Sequence, residues 1–192
     1  MQIVQPNFDW RGKLTPLKLE DVQYIIIHHA AVEQATPEAI HKHHLGRGWA
    51  GIGYNEYIAK DGTVYICRGD HVGAHTAGWN DKSYGICVEG NYEEETEMPE
   101  AQFRALVERV KYNQARFPNL RGIAPHKQFA ATACPGKYFP WDKLIAALKE
   151  PEEKKIYRVQ VGAFKNRENA EKMVQLLKEK GFAAFIREEV IE

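Results

Sequence analysis

The sequence predicts an α/β domain with a mixed central β-sheet flanked by helices, followed by a small C-terminal β-α-β unit. In its first part, β-branched apolar runs alternate with helical patterns. A charged, proline-containing stretch, EPEEKK, then interrupts this pattern, as is typical of a domain boundary. The 192 residues, 44% of them hydrophobic, suffice for one domain with its own core and a small second unit. We expect a first domain over residues 1–149, a linker over 150–155 and a second unit over 156–192.

The first predicted elements are a buried strand and a short helix. Residues 21–30 change from polar to nearly continuous β-branched apolar side chains, as in a strand buried on both faces, and we expect this strand to end at His28. Thr36 followed by Pro37 is the pattern of an N-cap with proline in the first helical turn. The glycines that follow a few residues later end this helix.

A hairpin and a long loop come next. The dipeptide Asp61-Gly62 lies between alternating runs over residues 51–58 and 63–66, which is a strong hairpin signal. Residues 69–83 are rich in Gly, His, Asp, Asn and Ser. A loop of that length is uncommon in a compact domain unless it is functional, so we expect it to edge a groove.

The remaining elements complete the first domain and form the second unit. Residues 84–90 have strand character, 99–116 have the apolar spacing of an amphipathic helix, and 141–149 form a closing helix. The second unit is predicted to contain strands over 156–162 and 182–186 and a helix between them, over 166–180. A unit this small buries too little apolar surface to be stable alone, so either it is part of a larger domain or it packs on something.

Composition excludes several classes of protein. The 26 lysines and arginines balance 26 aspartates and glutamates, so the chain lacks the charge expected of a nucleic-acid or membrane-surface binder. There is no apolar run long enough to span a bilayer and no signal-peptide layout at the N-terminus, so we expect synthesis in the cytoplasm. Separately, we expect a monomer. Three cysteines are too few and too far apart for a disulfide framework; two of them, Cys67 and Cys87, read as small buried side chains on strands.

The third cysteine belongs to a candidate metal site. Cys134 lies eight positions after His126, in a segment that proline residues make rigid. Thiolate and imidazole are preferred zinc ligands, and a catalytic zinc needs three protein ligands. The best source of the third is the pair His28-His29 at the end of the apolar strand. Alternation along a strand allows only one of the two to face the site, and the residues alone do not decide which.

Four motifs in register resemble the amidase-2 family, the zinc-dependent N-acetylmuramoyl-L-alanine amidases that also include the peptidoglycan recognition proteins and small phage amidases. They are YIIIHHAA, GWAGIGYNEYIAKDGTVYICR, AGWNDKSYGICVEGNY and HKQFAATACPG, and the resemblance covers roughly residues 20–145. The segment YRVQVGAFKNRENAEKMVQLLKEKGFAAFI is similar to the first half of a SPOR domain, a module that binds peptidoglycan glycan strands.

The resemblance implies roles for particular residues. In the family the first residue after the apolar strand is a ligand, which selects His28 and gives a Zn²⁺ site of His28, His126 and Cys134. Tyr54 matches a family tyrosine beside the zinc, whose hydroxyl orients water or donates to the developing oxyanion. Thr132 matches a position that is lysine in some phage enzymes and threonine in catalytic recognition proteins.

The general base is less clear from the sequence. Some family members carry a glutamate on the strand that reads SYGICVEG here, and Cys87 stands in its place. Glu89 lies two residues further on, on the same face of the strand, and could substitute for it. The alternative is an exposed carboxylate at the end of the strand. Two histidines of the long loop, His71 and His75, either contact a muramyl peptide or stay solvated.

The resemblance implies hydrolysis of the amide bond between the lactyl group of N-acetylmuramic acid and L-alanine in peptidoglycan. The C-terminal segment would tether the enzyme to glycan. We expect an endolysin that reaches the cell wall through a phage holin or by lysis, or else a host autolysin. Two alternatives are a non-catalytic peptidoglycan-binding module on the same fold and a zinc hydrolase acting on another amide.

Overall fold

The computed structural model describes residues 1–149 and 160–188. The chain divides into two compact units, Met1–Pro151 and Glu152–Glu192. The predicted linker over 150–155 lies outside the described residues. No helix within the two described ranges is long and apolar enough to cross a membrane.

The first unit is built on one mixed sheet of six strands. These are β1 (Ile3–Val4), β2 (Tyr24–His29), β3 (Glu56–Ile58), β4 (Val64–Ile66), β5 (Ser83–Val88) and β6 (Gly122–Pro125). Their spatial order is β1-β4-β3-β5-β2-β6. All neighbouring pairs are parallel except β3 and β4, which form the predicted antiparallel hairpin. The predicted mixed α/β fold is thus confirmed.

The helices agree with the sequence prediction to within a residue or two. They are α1 (Pro37–Gly46), α2 (Glu100–Arg116), α3 (Trp141–Lys149) and, in the second unit, α4 (Arg167–Glu179). The hydroxyl of Thr36 accepts a hydrogen bond from the backbone N–H of Ala39 at 3.2 Å, so it is the N-cap of α1. Pro37 occupies the first turn, where its missing N–H costs nothing.

The core lies on one side of β2. Ile25 and Ile27 are fully buried and pack in one apolar cluster with Leu106 of α2 and Leu144 of α3. Because side chains alternate along a strand, Tyr24, Ile26 and His28 point to the opposite face of the sheet. The helices α2 and α3 therefore leave the face that carries His28 available for a site.

A buried ion pair joins β3 to α2. The carboxylate of Glu56 accepts from Nε of Arg109 at 2.8 Å and from the guanidinium NH2 group at 2.6 Å. The amide of Asn113 and the hydroxyl of Tyr84 donate to the same carboxylate, at 2.9 and 3.0 Å. Glu56 is fully buried, and these four hydrogen bonds offset the free-energy cost of removing its carboxylate from water.

Some predicted elements differ from the structure. The strand β2 extends one residue beyond the predicted end, to His29, and β5 ends at Val88 rather than at residue 90. No strand is assigned over residues 182–186 in the described part of the chain, so the predicted strand there stays a prediction. A strand needs a hydrogen-bonded partner, and most of its predicted partner, 156–159, lies outside the described residues. The helix between them, α4, is confirmed.

Candidate metal centre

The three predicted ligands lie together at the carboxyl ends of two adjacent strands. His28 is near the end of β2, and His126 directly follows β6, which runs parallel beside β2. Cys134 comes from the loop that follows. One ligand atom from each residue can be chosen so that all three lie within 4.8 Å of one another. The sulfur of Cys134 is 3.8 Å from Nδ1 of His28, and the His28 and His126 ring centroids are 4.4 Å apart.

The loop that carries Cys134 is held by its own hydrogen bonds. The carbonyl of Cys134 accepts from the backbone N–H of Lys127 at 2.9 Å, and the hydroxyl of Thr132 accepts from the N–H of Cys134 at 3.2 Å. Gly136 has a positive φ of 101°, and a Cβ there would lie 2.2 Å from the backbone of Tyr92. Only glycine fits this approach, which fixes the cysteine-proline-glycine turn.

The cluster fits zinc in donor type and spacing. Two imidazoles and one thiol are the ligand set of a catalytic zinc that keeps a fourth position open. With metal–ligand distances of about 2.0–2.3 Å, tetrahedral geometry requires ligand atoms roughly 3.3–3.6 Å apart. The observed separation of 3.8 Å between His28 and Cys134 is close to that value. The other two separations are at most 4.8 Å, so the ligand atoms must move closer together to bind an ion.

Burial sets the protonation of the ligands. It lowers the pKa of His28 well below its ordinary value, with the neighbouring His75 and His126 adding to the effect, and it also lowers the pKa of His126. Both imidazoles are then neutral near pH 7, as a ligand must be. Burial raises the pKa of the Cys134 thiol to about 11, so this thiol must lose its proton when a metal binds.

Tyr54 lies beside His28, with ring centroids 5.2 Å apart. The preceding Gly53 has no room for a side chain, because a Cβ would lie 2.1 Å from the carbonyl oxygen of Ala74. Burial raises the pKa of Tyr54 well above its ordinary value, and the thiol of Cys87 adds to this shift. The hydroxyl is therefore protonated and can serve as a hydrogen-bond donor in the site.

The other two predicted residues make different contacts. Thr132 is exposed and bonds to the backbone of the ligand Cys134, as described above. Glu89 is half-buried, and its two carboxylate oxygens accept from the backbone N–H groups of Ala35 and Lys60 at 3.2 and 2.8 Å. In the part of the chain that the structure describes, the ligand cluster does not include Glu89.

His44 lies next to Tyr54, and a second aromatic side chain, Trp49, lies next to His44. The ring of His44, from α1, lies 5.9 Å from that of Tyr54 and 4.6 Å from that of Trp49, and the guanidinium of Arg47 lies 4.9 Å from the Trp49 ring. Nδ1 of His44 accepts from the N–H of Gly53 at 3.0 Å. The helix α1 therefore both supports the Gly53-Tyr54 segment and lines one side of the site.

Sequence reasoning missed one residue of the site. The sequence predicts that His75 contacts substrate or is solvated, but the structure buries it and brings its Nδ1 to 3.1 Å from Nε2 of His28. His71 of the same loop instead contacts the carbonyl of Arg68 at 2.9 Å. No periodic pattern marks a side chain that contacts a partner 47 residues away.

Comparison with known proteins identifies the family. The Amidase_2 model, described as N-acetylmuramoyl-L-alanine amidase, matches residues 18–137, and the SPOR domain model matches residues 153–192. Peptidoglycan-recognition protein SC2 of Drosophila simulans is 35% identical over 143 residues, which cover 67% of this chain and 77% of that protein. An N-acetylmuramoyl-L-alanine amidase of Sus scrofa is 34% identical over 154 residues, which cover 69% of this chain and 25% of that protein.

A solved structure agrees with these relatives. The endolysin N-acetylmuramoyl-L-alanine amidase LysCS of Clostridium intestinale matches with a TM-score of 0.67 at 35% identity and covers 77% of this chain and 95% of that one. The fold, the ligand cluster and the two family matches lead to one conclusion. This chain belongs to the Amidase_2 family and carries a SPOR domain after its amidase domain.

Proposed function

We propose that this chain hydrolyses the amide bond between the lactyl group of N-acetylmuramic acid and L-alanine in peptidoglycan. The observation that carries the proposal is the convergence of His28, His126 and Cys134 beside the protonated hydroxyl of Tyr54, on the fold of an amidase family. Held by these three ligands, Zn²⁺ would polarise the scissile carbonyl and lower the pKa of water to about 7.

Two side chains of the site would stabilise the negative charge that develops on the carbonyl oxygen. The Tyr54 hydroxyl keeps its proton, so it can donate to that oxygen. The Thr132 hydroxyl accepts from the N–H of Cys134 and still has its own proton to donate. We assign Thr132 two tasks: it holds the ligand loop in place, and it offers a second donor at the mouth of the site.

Glu89 takes a supporting role in this proposal. Both of its oxygens accept backbone N–H groups, one from the segment before α1 and one from the turn of the hairpin. A general base needs a free oxygen within hydrogen-bond reach of the attacking water. The prediction that Glu89 is the base stays a prediction, and a substitution described in the Discussion separates the two roles.

The SPOR domain suggests where the enzyme works. We propose that it binds glycan strands and keeps the amidase domain on its polymeric substrate, so that the site of action is the cell wall. The similarity to an endolysin amidase favours a lytic enzyme, with release through a holin or by lysis, over an autolysin. We further propose that the protein acts as a monomer and needs no nucleic-acid or membrane partner.

A non-catalytic binding module is the second candidate, because peptidoglycan-recognition proteins are among the relatives. One experiment separates the two. Purified protein is incubated with bacterial peptidoglycan, with and without a chelator, and the released fragments are identified by mass spectrometry. The amidase proposal expects new L-alanine amino termini that disappear with the chelator and return with added zinc.

The controls use matched variants. His126→Ala should abolish release, whereas His43→Ala, which removes an exposed histidine of α1, should not change it. Wild-type protein that binds zinc and peptidoglycan but releases no L-alanine amino termini would establish the binding module instead. Release of a different amide product would establish the third alternative, a zinc hydrolase of other specificity.

A further inference from the structure

The long loop before β5 carries a buried histidine, His75, which contacts His28 on the side away from Cys134. Nδ1 of His75 lies 3.1 Å from Nε2 of His28, and the two rings meet edge to face, with centroids 5.0 Å apart and an interplanar angle of 80°. The other nitrogen of His28, Nδ1, faces the sulfur of Cys134 at 3.8 Å. The His28 ring therefore lies between His75 and the ligand cluster.

We propose that His75 is a positioning residue: its Nδ1 accepts a hydrogen bond from Nε2–H of His28 and so directs the lone pair of His28 Nδ1 into the metal site. The inference rests on the zinc role proposed above for His28. A neutral imidazole that offers Nδ1 as a ligand carries its proton on Nε2, and the partner of that proton fixes both the tautomer and the ring orientation.

The contacts of His75 are consistent with this role. Both of its hydrogen-bond contacts, to His28 and to the hydroxyl of Thr76 at 3.0 Å, are made by Nδ1. Its Nε2 is buried and has no hydrogen-bond partner among the described residues. His75 can therefore carry its own proton on Nε2 and leave Nδ1 free to accept from His28.

The sequence around His75 makes a slot for its ring. A Cβ at Gly73 would lie 2.3 Å from Cδ2 of His75, and a Cβ at Gly85 would lie 2.5 Å from the same atom. Neither glycine has a left-handed φ, so the space taken by the ring, and not the backbone conformation, explains why they are glycines. The side-chain oxygen of Asn80 accepts from the N–H groups of both His75 and Thr76 at 2.9 Å and fixes the backbone there.

The alternative is that His75 only fills space behind β2. Two nearly isosteric substitutions separate the roles. His75→Asn and His75→Leu leave similar cavities, but the asparagine oxygen can still accept from Nε2 of His28 and leucine cannot. Zinc dissociation constants are measured by competition with a chromophoric chelator, on protein whose fold is checked by circular dichroism. His71→Ala is the control from the same loop.

The proposal expects His75→Leu to bind zinc about 10- to 100-fold more weakly than wild type, as is typical when the partner of a ligand histidine is lost. His75→Asn should recover most of that loss, and His71→Ala should bind zinc as wild type does. Equal affinities for the leucine and asparagine variants would overturn the proposal, whether both are weakened or both are normal. Failure of wild-type protein to bind zinc would instead overturn the proposed function.

A measurement on the wild-type protein avoids the risk that a variant does not fold. In the zinc-loaded protein, long-range ¹H–¹⁵N correlation spectra report which nitrogen of each histidine carries a proton. The proposal expects the proton of His28 on Nε2, and that of His75 on Nε2 with its Nδ1 unprotonated. A protonated Nδ1 on His75 would contradict it, because that nitrogen could not accept from His28.

Discussion

His28 and His29 are adjacent in sequence but serve opposite faces of the sheet. His28 joins the ligand cluster, whereas Nδ1 of His29 accepts from the backbone N–H of Tyr92 at 3.0 Å. The period-two alternation of a strand makes this division unavoidable. One of two identical side chains thus becomes a candidate ligand, and the other ties β2 to the segment after β5.

Replacing Tyr54 with phenylalanine tests its proposed role as a donor. Tyr54→Phe keeps the ring beside His28 and removes the hydroxyl, so kcat should fall by about 10²- to 10³-fold, as for loss of one oxyanion donor, while zinc affinity stays the same. Steady-state kinetics on a soluble muramyl peptide measures kcat, and competition with a chelator measures the zinc affinity. Tyr65→Phe is the control, and a Tyr54→Phe enzyme with wild-type kcat would rule out the donor role.

Replacing Glu89 with glutamine separates a supporting role from a catalytic one. If Glu89 only anchors the Ala35 and Lys60 backbone, Glu89→Gln should lower the free energy of unfolding by about 1–3 kcal/mol and leave kcat within about tenfold of wild type. A general base would instead lose about 10²- to 10⁴-fold in kcat. Urea unfolding and kinetics on the same preparation decide between them, and a loss confined to kcat would restore Glu89 as the base.

The sequence predicts the three residues of the candidate metal cluster but not the side chains that contact them. His126 and Cys134 stand out because few residue types bind zinc and both lie in a segment that prolines make rigid, whereas only the family resemblance selects His28 over His29. His75 and the carboxylate of Glu89 act through contacts to distant parts of the chain. Such contacts depend on how the loops fold over the sheet, and no local spacing encodes them.

The packing of α2 on β3 depends on the buried ion pair between Arg109 and Glu56. Arg109→Ala leaves the Glu56 carboxylate buried without its cation, so the free energy of unfolding should fall by about 3–5 kcal/mol. Chemical denaturation measures this change. Lys143→Ala, which removes one partner of the exposed Lys143–Glu100 pair, should cost less than about 1 kcal/mol. Similar losses for the two variants would show that the buried pair contributes no more than a surface pair.

Elements with strong local patterns were predicted, and those defined only by pairing were not. The caps of α1, the spacing of α2 and the Asp-Gly turn of the hairpin are all local signals. The strand β1 has two residues, and β6 reads GIAP, with a glycine and a proline that argue against a strand. Each forms because a neighbouring strand offers its edge. The partner predicted for 182–186 lies mostly outside the described residues, so that strand stays a prediction.

Several buried histidines make the stability of the whole molecule sensitive to acid. Burial lowers the pKa of His44 to about 4 and that of His75 to about 3. The unfolded chain binds these protons at about pH 6.5, so below that pH the unfolded state carries more protons than the folded state. The contribution of these two histidines to the free energy of unfolding is therefore fully present above pH 6.5. It is lost as the pH falls toward their pKa values in the folded state.

The contribution of His44 to this acid sensitivity can be isolated, because it lies outside the ligand cluster. His44→Asn keeps an acceptor for the N–H of Gly53 but cannot take up a proton. Between about pH 6 and 4.5 the slope of the unfolding free energy against pH should become shallower by about 1.4 kcal/mol per pH unit. Urea unfolding in the presence of chelator measures the slopes. An unchanged slope in His44→Asn would contradict the assignment.

The link between the metal and the reaction can be measured by titrating zinc into metal-free protein while following the release of L-alanine amino termini from peptidoglycan. The rate should rise in proportion to bound zinc and level off at one ion per chain. Cys134→Ala should neither bind zinc tightly nor gain activity, whereas Cys67→Ala should follow the wild-type curve. One zinc bound per chain without any release of L-alanine amino termini would contradict the account, and so would full activity in Cys134→Ala.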